Sequence, residues 1–168
     1  MKGRPYQLEA VQSIWDYFTH GGEGNPVVAM PTGTGKSIVI ALFLQSVYAS
    51  YPRQKVLLLT HVKELIQQNY EKLLAIWPGA PAGIYSAGLG RRDLMQRIIF
   101  AGIASMIKNM HLLGKVDLIL IDECHLVSPN DQTMYRKLIA FLQQSNPYLK
   151  IIGFTATDYR LGYGRIIE

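Results

Sequence analysis

Met30-Pro31-Thr32-Gly33-Thr34-Gly35-Lys36-Ser37 follows the apolar run Val27-Val28-Ala29-Met30 and leads directly into the helical stretch Ile38 to Leu44. A strand that turns through glycines into a helix is the setting a phosphate-binding loop requires. Gly33 and Gly35 are free to take positive φ and turn backbone N–H groups inward, and the helix N-terminus adds the positive end of its dipole. Thr32 and Thr34 each precede one of these glycines in the loop that would wrap the phosphates. Lys36 would reach the β and γ phosphates, and the Ser37 hydroxyl would ligate Mg²⁺. The strict pattern has glycine where this chain has Met30. An incidental glycine-rich turn is the competing reading, disfavoured because Gly-Lys-Ser sits at the strand-to-helix junction. The loop leaves open what hydrolysis drives, since kinases, switches and motors share it.

On either side of the loop, short apolar runs alternate with amphipathic stretches. Leu8, Val11, Ile14, Trp15 and Phe18 recur at three- and four-residue steps, which predicts a helix over Tyr6 to Phe18 with Pro5 at its start. Further helices are predicted over Lys36 to Tyr48, Val62 to Ile76, 103 to 110 and 131 to 144. Strands are predicted at Val27 to Met30, Val56 to Leu59, Gly83 to Tyr85, Ile98 to Ala101, Leu118 to Ile121 and Ile151 to Phe154. Strands apolar on both faces, separated by helices, imply an α/β fold: a doubly wound parallel sheet with helices on both faces. Such sheets bind ligands beyond the carboxyl ends of their strands, so the loops after Met30, Leu59, Tyr85, Ala101, Ile121 and Phe154 are where chemistry is expected.

At 168 residues the chain is expected to be one domain, 1–168. With 49% hydrophobic and 17% charged residues it is not a disordered chain. No apolar run approaches the eighteen residues of a membrane span, and the N-terminus shows no secretory signal, so a cytoplasmic or nucleoid-associated location is expected without a membrane partner. The lone cysteine, Cys124, has no partner for an intramolecular disulfide. A net charge of +5 permits attraction to phosphates without requiring it.

The strand Leu118 to Ile121 ends in Asp122-Glu123-Cys124-His125. Asp122 is placed to hold Mg²⁺ and Glu123 to orient a water and accept its proton, which with the phosphate loop makes a minimal hydrolytic set. Cys124 reads as a small buried residue and His125 as a hydrogen-bonding link from this site to a neighbouring loop. The last strand ends in Thr155-Ala156-Thr157, whose hydroxyls could bond the acidic segment, although a hydroxyl-rich turn is the default reading.

Met30 to Ser37, Asp122-Glu123-Cys124-His125 and Thr155-Ala156-Thr157, in this order, resemble motifs I, II and III of superfamily 2 helicases of the DExH-box kind. The resemblance implies a RecA-like P-loop NTPase domain, ATP and Mg²⁺ as cofactors, and coupling roles for His125, Thr155 and Thr157. Arg4-Pro5-Tyr6-Gln7 resembles the segment in which the family uses a glutamine, here Gln7, to read adenine, with Arg4 or Tyr6 beside it. Thr60-His61-Val62-Lys63 resembles motif Ia, while Gly88 and Ser105 fall where motifs Ib and Ic meet a nucleic-acid backbone. Thr60, His61, Lys63, Gly88, Arg91, Arg92 and Ser105 are therefore the candidate nucleic-acid contacts, with a solvated helix start as the alternative for Arg91-Arg92. In detail the motifs are similar to the RadD-like DNA-repair helicases, which favours DNA over RNA, although Asp158 stands where the family has proline after motif III.

The resemblance covers the first of the family's two RecA-like domains. It implies that a second domain, in cis or in trans, supplies the arginine fingers, which are worth about 10³ to 10⁵ in rate. The reading is the ATP-binding and hydrolysing half of a nucleic-acid helicase with little turnover by itself. A translocase without strand separation and a nucleotide-gated binding module without turnover are the alternatives.

Overall fold

Val56, Leu57, Leu58 and Leu59 are each 0% exposed, and a strand apolar on both sides is stable only where both faces are covered. In the computed structural model, which describes residues 3–30, 35–124 and 128–155, both faces are covered. The elements in chain order are α1 (Pro5–Thr19), β1 (Val27–Ala29), α2 (Lys36–Ser50), β2 (Val56–Thr60), α3 (Lys63–Ile76), β3 (Ala82–Ser86) and β4 (Arg91–Arg92). They continue with β5 (Ile98–Gly102), α4 (Ile103–Lys108), a 3₁₀ turn (Met110–Leu112), β6 (Leu118–Ile121), α5 (Pro129–Ser145) and β7 (Lys150–Thr155).

Among the described residues the strands form one seven-stranded sheet in the order β1-β7-β6-β2-β5-β3-β4. Alternation along β2 divides the core. Val56 and Leu58 pack with Ile14 of α1, the apolar side of α2, and Ile66 and Leu73 of α3. Leu57 and Leu59 pack with Ile103 and Met106 of α4 and with Tyr135, Leu138 and Leu142 of α5. The doubly wound α/β architecture expected from the apolar runs is thus the one observed. Helix α2 buries residues on several sides, from Val39 through Tyr48, because it lies between the sheet and its two neighbouring helices.

Three local features differ from expectation. The sheet is not wholly parallel, because Arg91–Arg92 pairs antiparallel with β3, Tyr85 opposite Arg92 and Ser86 opposite Arg91. These residues form an edge strand and not a helix start. The reversal is a tight turn closed by Gly90 N–H donating to Ala87 O at 3.1 Å, with Gly90 at φ 66°, a value glycine takes without strain. The helix expected over 103 to 110 ends at Lys108 and gives way to the 3₁₀ turn. Helix α5 begins at Pro129, two residues before its expected start, because Ser128 caps it: Asp131 N–H donates to Ser128 Oγ at 3.2 Å.

Phe100 of β5, 0% exposed, meets the Tyr70 ring of α3 edge-on with centroids 5.9 Å apart, joining helix to sheet. Phe100→Ala is expected to lower unfolding free energy by about 3–5 kcal/mol, read as a drop in the urea midpoint at unchanged slope.

Candidate functional site

Helix α2 starts where β1 ends, and β6 ends two strands away from β1 with β7 between them. Backbone pairing locks this corner: Met30 N–H donates to Thr155 O at 3.0 Å and Asp122 N–H donates to Leu59 O at 2.9 Å. The consequence is a meeting of groups far apart in sequence. Lys36 Nζ lies 2.6 Å from Asp122 Oδ1 and also bonds Glu123 Oε1, with the three side chains 10%, 1% and 14% exposed.

Asp122 is fully engaged. Its Oδ1 takes Lys36 and the Glu123 N–H at 2.9 Å, while its Oδ2 accepts from Asn69 Nδ2 at 2.7 Å. Ser37 Oγ donates to Asn69 Oδ1 at 2.9 Å, so the serine and the aspartate are joined through one carboxamide of α3. Glu123 adopts φ 50°, a left-handed conformation that costs a non-glycine residue about 1–2 kcal/mol. Strain of this kind persists where the surroundings impose it, and it gathers at functional sites.

Gly35 caps α2 at φ 82°, and a Cβ there would sit 2.4 Å from Gln7 Nε2. The positive φ favours glycine, and any side chain here would displace the Gln7 carboxamide. Gln7 is buried, its Oε1 accepting the Arg4 N–H at 2.8 Å and its carboxamide lying against Gly35. Beside it, Tyr6, Ala10, Ile14 and Met30 help line a cavity of about 530 Å³ between α1 and β1. Thr155 is buried at the end of β7. Thr32, Gly33, Thr34, His125 and Thr157 lie outside the described residues.

Thr60, His61, Lys63, Gly88 and Ser105 line one recess of about 190 Å³ at the carboxyl ends of β2, β3 and β5. Within it Lys63 is exposed, and its aliphatic stem lies beside Gly88. Ser105 Oγ accepts the Ala87 N–H at 3.0 Å, and His61 Nδ1 is buried without a hydrogen-bond partner. Thr60 is enclosed, its hydroxyl accepting the Val62 N–H at 3.2 Å. Asp131 also lines the recess, an acid the motif comparison did not anticipate. Arg91 and Arg92 are not among the residues of this recess. Arg91 pairs with Asp93 and lies over the Tyr70 ring at 5.1 Å, while Arg92 is exposed.

Cys124 is buried, as its sequence context suggested, and burial, reinforced by the Asp122 charge, pushes its thiol up to about 12. Among the described residues no group of three His, Cys, Asp or Glu side chains forms a metal cluster. No described helix is long and apolar enough to cross a membrane. Asn69 was missed in the sequence. Its signal is its position, a polar residue on the apolar stripe of α3 between Ile66 and Leu73.

The family model of the Type III restriction enzyme, res subunit, matches residues 1–160. The Fanconi anemia group M protein of Gallus gallus is 27% identical over 166 residues, covering 92% of this chain and 8% of that protein. The ATP-dependent DNA helicase MPH1 of Debaryomyces hansenii is 26% identical over 166 residues, covering 92% and 14%. The chain therefore spans a small part of these relatives. Among solved structures, the SWI2/SNF2 ATPase core of Sulfolobus solfataricus in complex with dsDNA superposes with TM-score 0.75 at 17% identity, covering 99% of this chain and 35% of that one. The UvsW helicase of Bacteriophage T4 does so with TM-score 0.72 at 18% identity, covering 99% and 56%. These two likenesses are likenesses of fold.

Removing the ammonium at the centre of the site leaves two carboxylates facing each other with little water. Lys36→Ala is expected to lower stability by about 3 kcal/mol, measured by urea unfolding, although its place in a phosphate loop would suggest a structurally neutral change. Cys124 in the native chain should react with iodoacetamide at pH 8 far more slowly than in the urea-unfolded chain; equal rates would contradict its burial.

Proposed function

The chain belongs to the family of the Type III restriction enzyme res subunit, and on that premise we propose that it is the first RecA-like domain of a superfamily 2 helicase, the ATP-binding and hydrolysing half of a DExH-box motor acting on DNA. The observation that carries this reading is the contact of Lys36 with Asp122 and Glu123 at the carboxyl end of the sheet.

An incoming triphosphate competes with the two carboxylates for Lys36. When the ammonium exchanges to the β and γ phosphates, Glu123 is released from its ion pair and becomes available to orient a water and accept its proton. Thr32, Gly33, Thr34 and Gly35 are assigned to phosphate binding from their sequence pattern, and the α2 N-terminus adds its dipole. Gln7, packed on Gly35, reads the adenine, with Arg4 and Tyr6 beside it.

The donors fit Mg²⁺. Ser37 Oγ and Asp122 Oδ2 are both hard oxygens, brought within 2.9 and 2.7 Å of a single carboxamide. When bound, the ion neutralises charge that develops on the transferring phosphoryl group. His125, Thr155 and Thr157 link this site to the rest of the motor.

The recess formed by Thr60, His61, Lys63, Gly88 and Ser105 takes the phosphodiester backbone, with Arg91 and Arg92 of the edge strand beside β3 as further contacts. DNA is the favoured track because relatives such as MPH1 are described as DNA helicases; a cytoplasmic or nucleoid-associated location goes with it. In the whole protein a second RecA-like domain, in cis or in trans, closes on ATP and supplies the arginine finger. Strand displacement measured with the whole protein separates a helicase from a translocase.

Lys36→Ala, checked for folding by circular dichroism, should weaken ATP binding by at least about tenfold, the equivalent of one lost charge-assisted contact. Glu123→Gln should keep ATP binding and, in the whole protein, stop turnover. Unchanged ATP affinity in Lys36→Ala, or undiminished hydrolysis in Glu123→Gln, would remove the corresponding role.

A further inference from the structure

Asn69 is a polar side chain on an apolar surface. It is 2% exposed on the buried stripe of α3, where leucine would pack without leaving a polar group to satisfy. Both ends of its carboxamide are used, and their partners identify them. Ser37 Oγ donates to Oδ1 at 2.9 Å, and Nδ2 donates to Asp122 Oδ2 at 2.7 Å. The flipped amide would turn its oxygen toward a carboxylate oxygen, so the network admits one orientation.

These partners lie 32 and 53 residues away along the chain, one opening α2 and the other following β6. Asp122 Oδ1 is already occupied by Lys36 and the Glu123 N–H. Asn69 is the partner of Oδ2 and, together with the Glu123 N–H on Oδ1, orients the carboxylate.

We infer that Asn69 is a positioning residue for the metal–nucleotide site: from α3 it holds the Ser37 hydroxyl and the Asp122 carboxylate as a pair of oxygen ligands facing one Mg²⁺. This rests on the nucleotide reading above and adds to it a residue that touches neither nucleotide nor substrate. Asn69 stands six residues after Lys63 on α3, about 9 Å along the axis.

The test uses this 168-residue chain and a ribose-linked N-methylanthraniloyl ATP, titrated in excess Mg²⁺ and in EDTA. The measured quantity is the ratio of the two affinities. Asn69→Leu keeps the branched heavy-atom shape and removes both hydrogen bonds, and it is expected to cut the ratio about 10- to 100-fold, the usual loss when an outer partner of a metal ligand is removed. The EDTA affinity is expected to move much less. A general loosening of the fold would instead lower both affinities together; that outcome, or an unaltered ratio, overturns the role.

Should circular dichroism show that Asn69→Leu is unfolded, Asn69→Ala carries the same expectation. In a Ser37→Ala background Asn69→Leu should cost less of the ratio than it does alone, because Asn69 acts through that hydroxyl; full additivity would contradict this. A wild-type chain that fails to bind the ATP analogue overturns the nucleotide reading and this role with it; one that binds it equally with and without Mg²⁺ overturns the role. A normal wild-type ratio left intact by Asn69→Leu overturns the role alone.

Discussion

A single ammonium held by two carboxylates organises the functional end of this protein. Lys36 is nearly enclosed, and a cation in that position is tolerated only when paired. Its partners arrive 86 and 87 residues later, at the end of β6. The sheet order must therefore bring the ends of β1 and β6 together, which it does with β7 inserted between them. With Lys36 on the carboxylates the charges are satisfied internally; the function proposed above turns on exchange of this ammonium to phosphate.

The remaining structure divides by solvent and polarity. Sheet side chains are apolar above and below, and each alternate residue meets a different helical layer. At the carboxyl edge this regime ends, and buried polar groups must be bonded one to another. Asp122 with its four contacts, Thr60 with Val62, and Gln7 with Arg4 are instances. Glu123 departs from ordinary backbone conformation at the same edge. Strain is borne there because the core beneath is rigid and fully packed.

Much of this was legible in the chain. Strands β2 and β6 announced themselves through the uninterrupted apolar runs Val56–Leu59 and Leu118–Ile121, because a strand covered on both faces needs no polar residue. The glycine loop and the Asp-Glu pair were legible because strand, turn and helix stand next to one another in sequence. Arg91–Arg92 was not, since two charged residues carry no periodicity, and their pairing depends on the turn at Gly90 and on the edge β3 leaves open. Helix α4 ran short for a similar reason: nothing in residues 103 to 110 marks where an α-helix tightens into a 3₁₀ turn.

The amino-acid sequence by itself determined the alternating elements, the α/β class, and the loop and acidic segment, because each depends on residues within a few positions of one another. Only the tertiary structure decided that Asn69 joins Ser37 to Asp122, that five scattered candidates share one recess while Arg91 turns instead to Asp93 and Tyr70, and that Gln7 packs on Gly35. Those relations join groups from separate elements. Their hydrogen bonds exist only after the sheet has set the distances between strand ends, and no local pattern encodes such a distance.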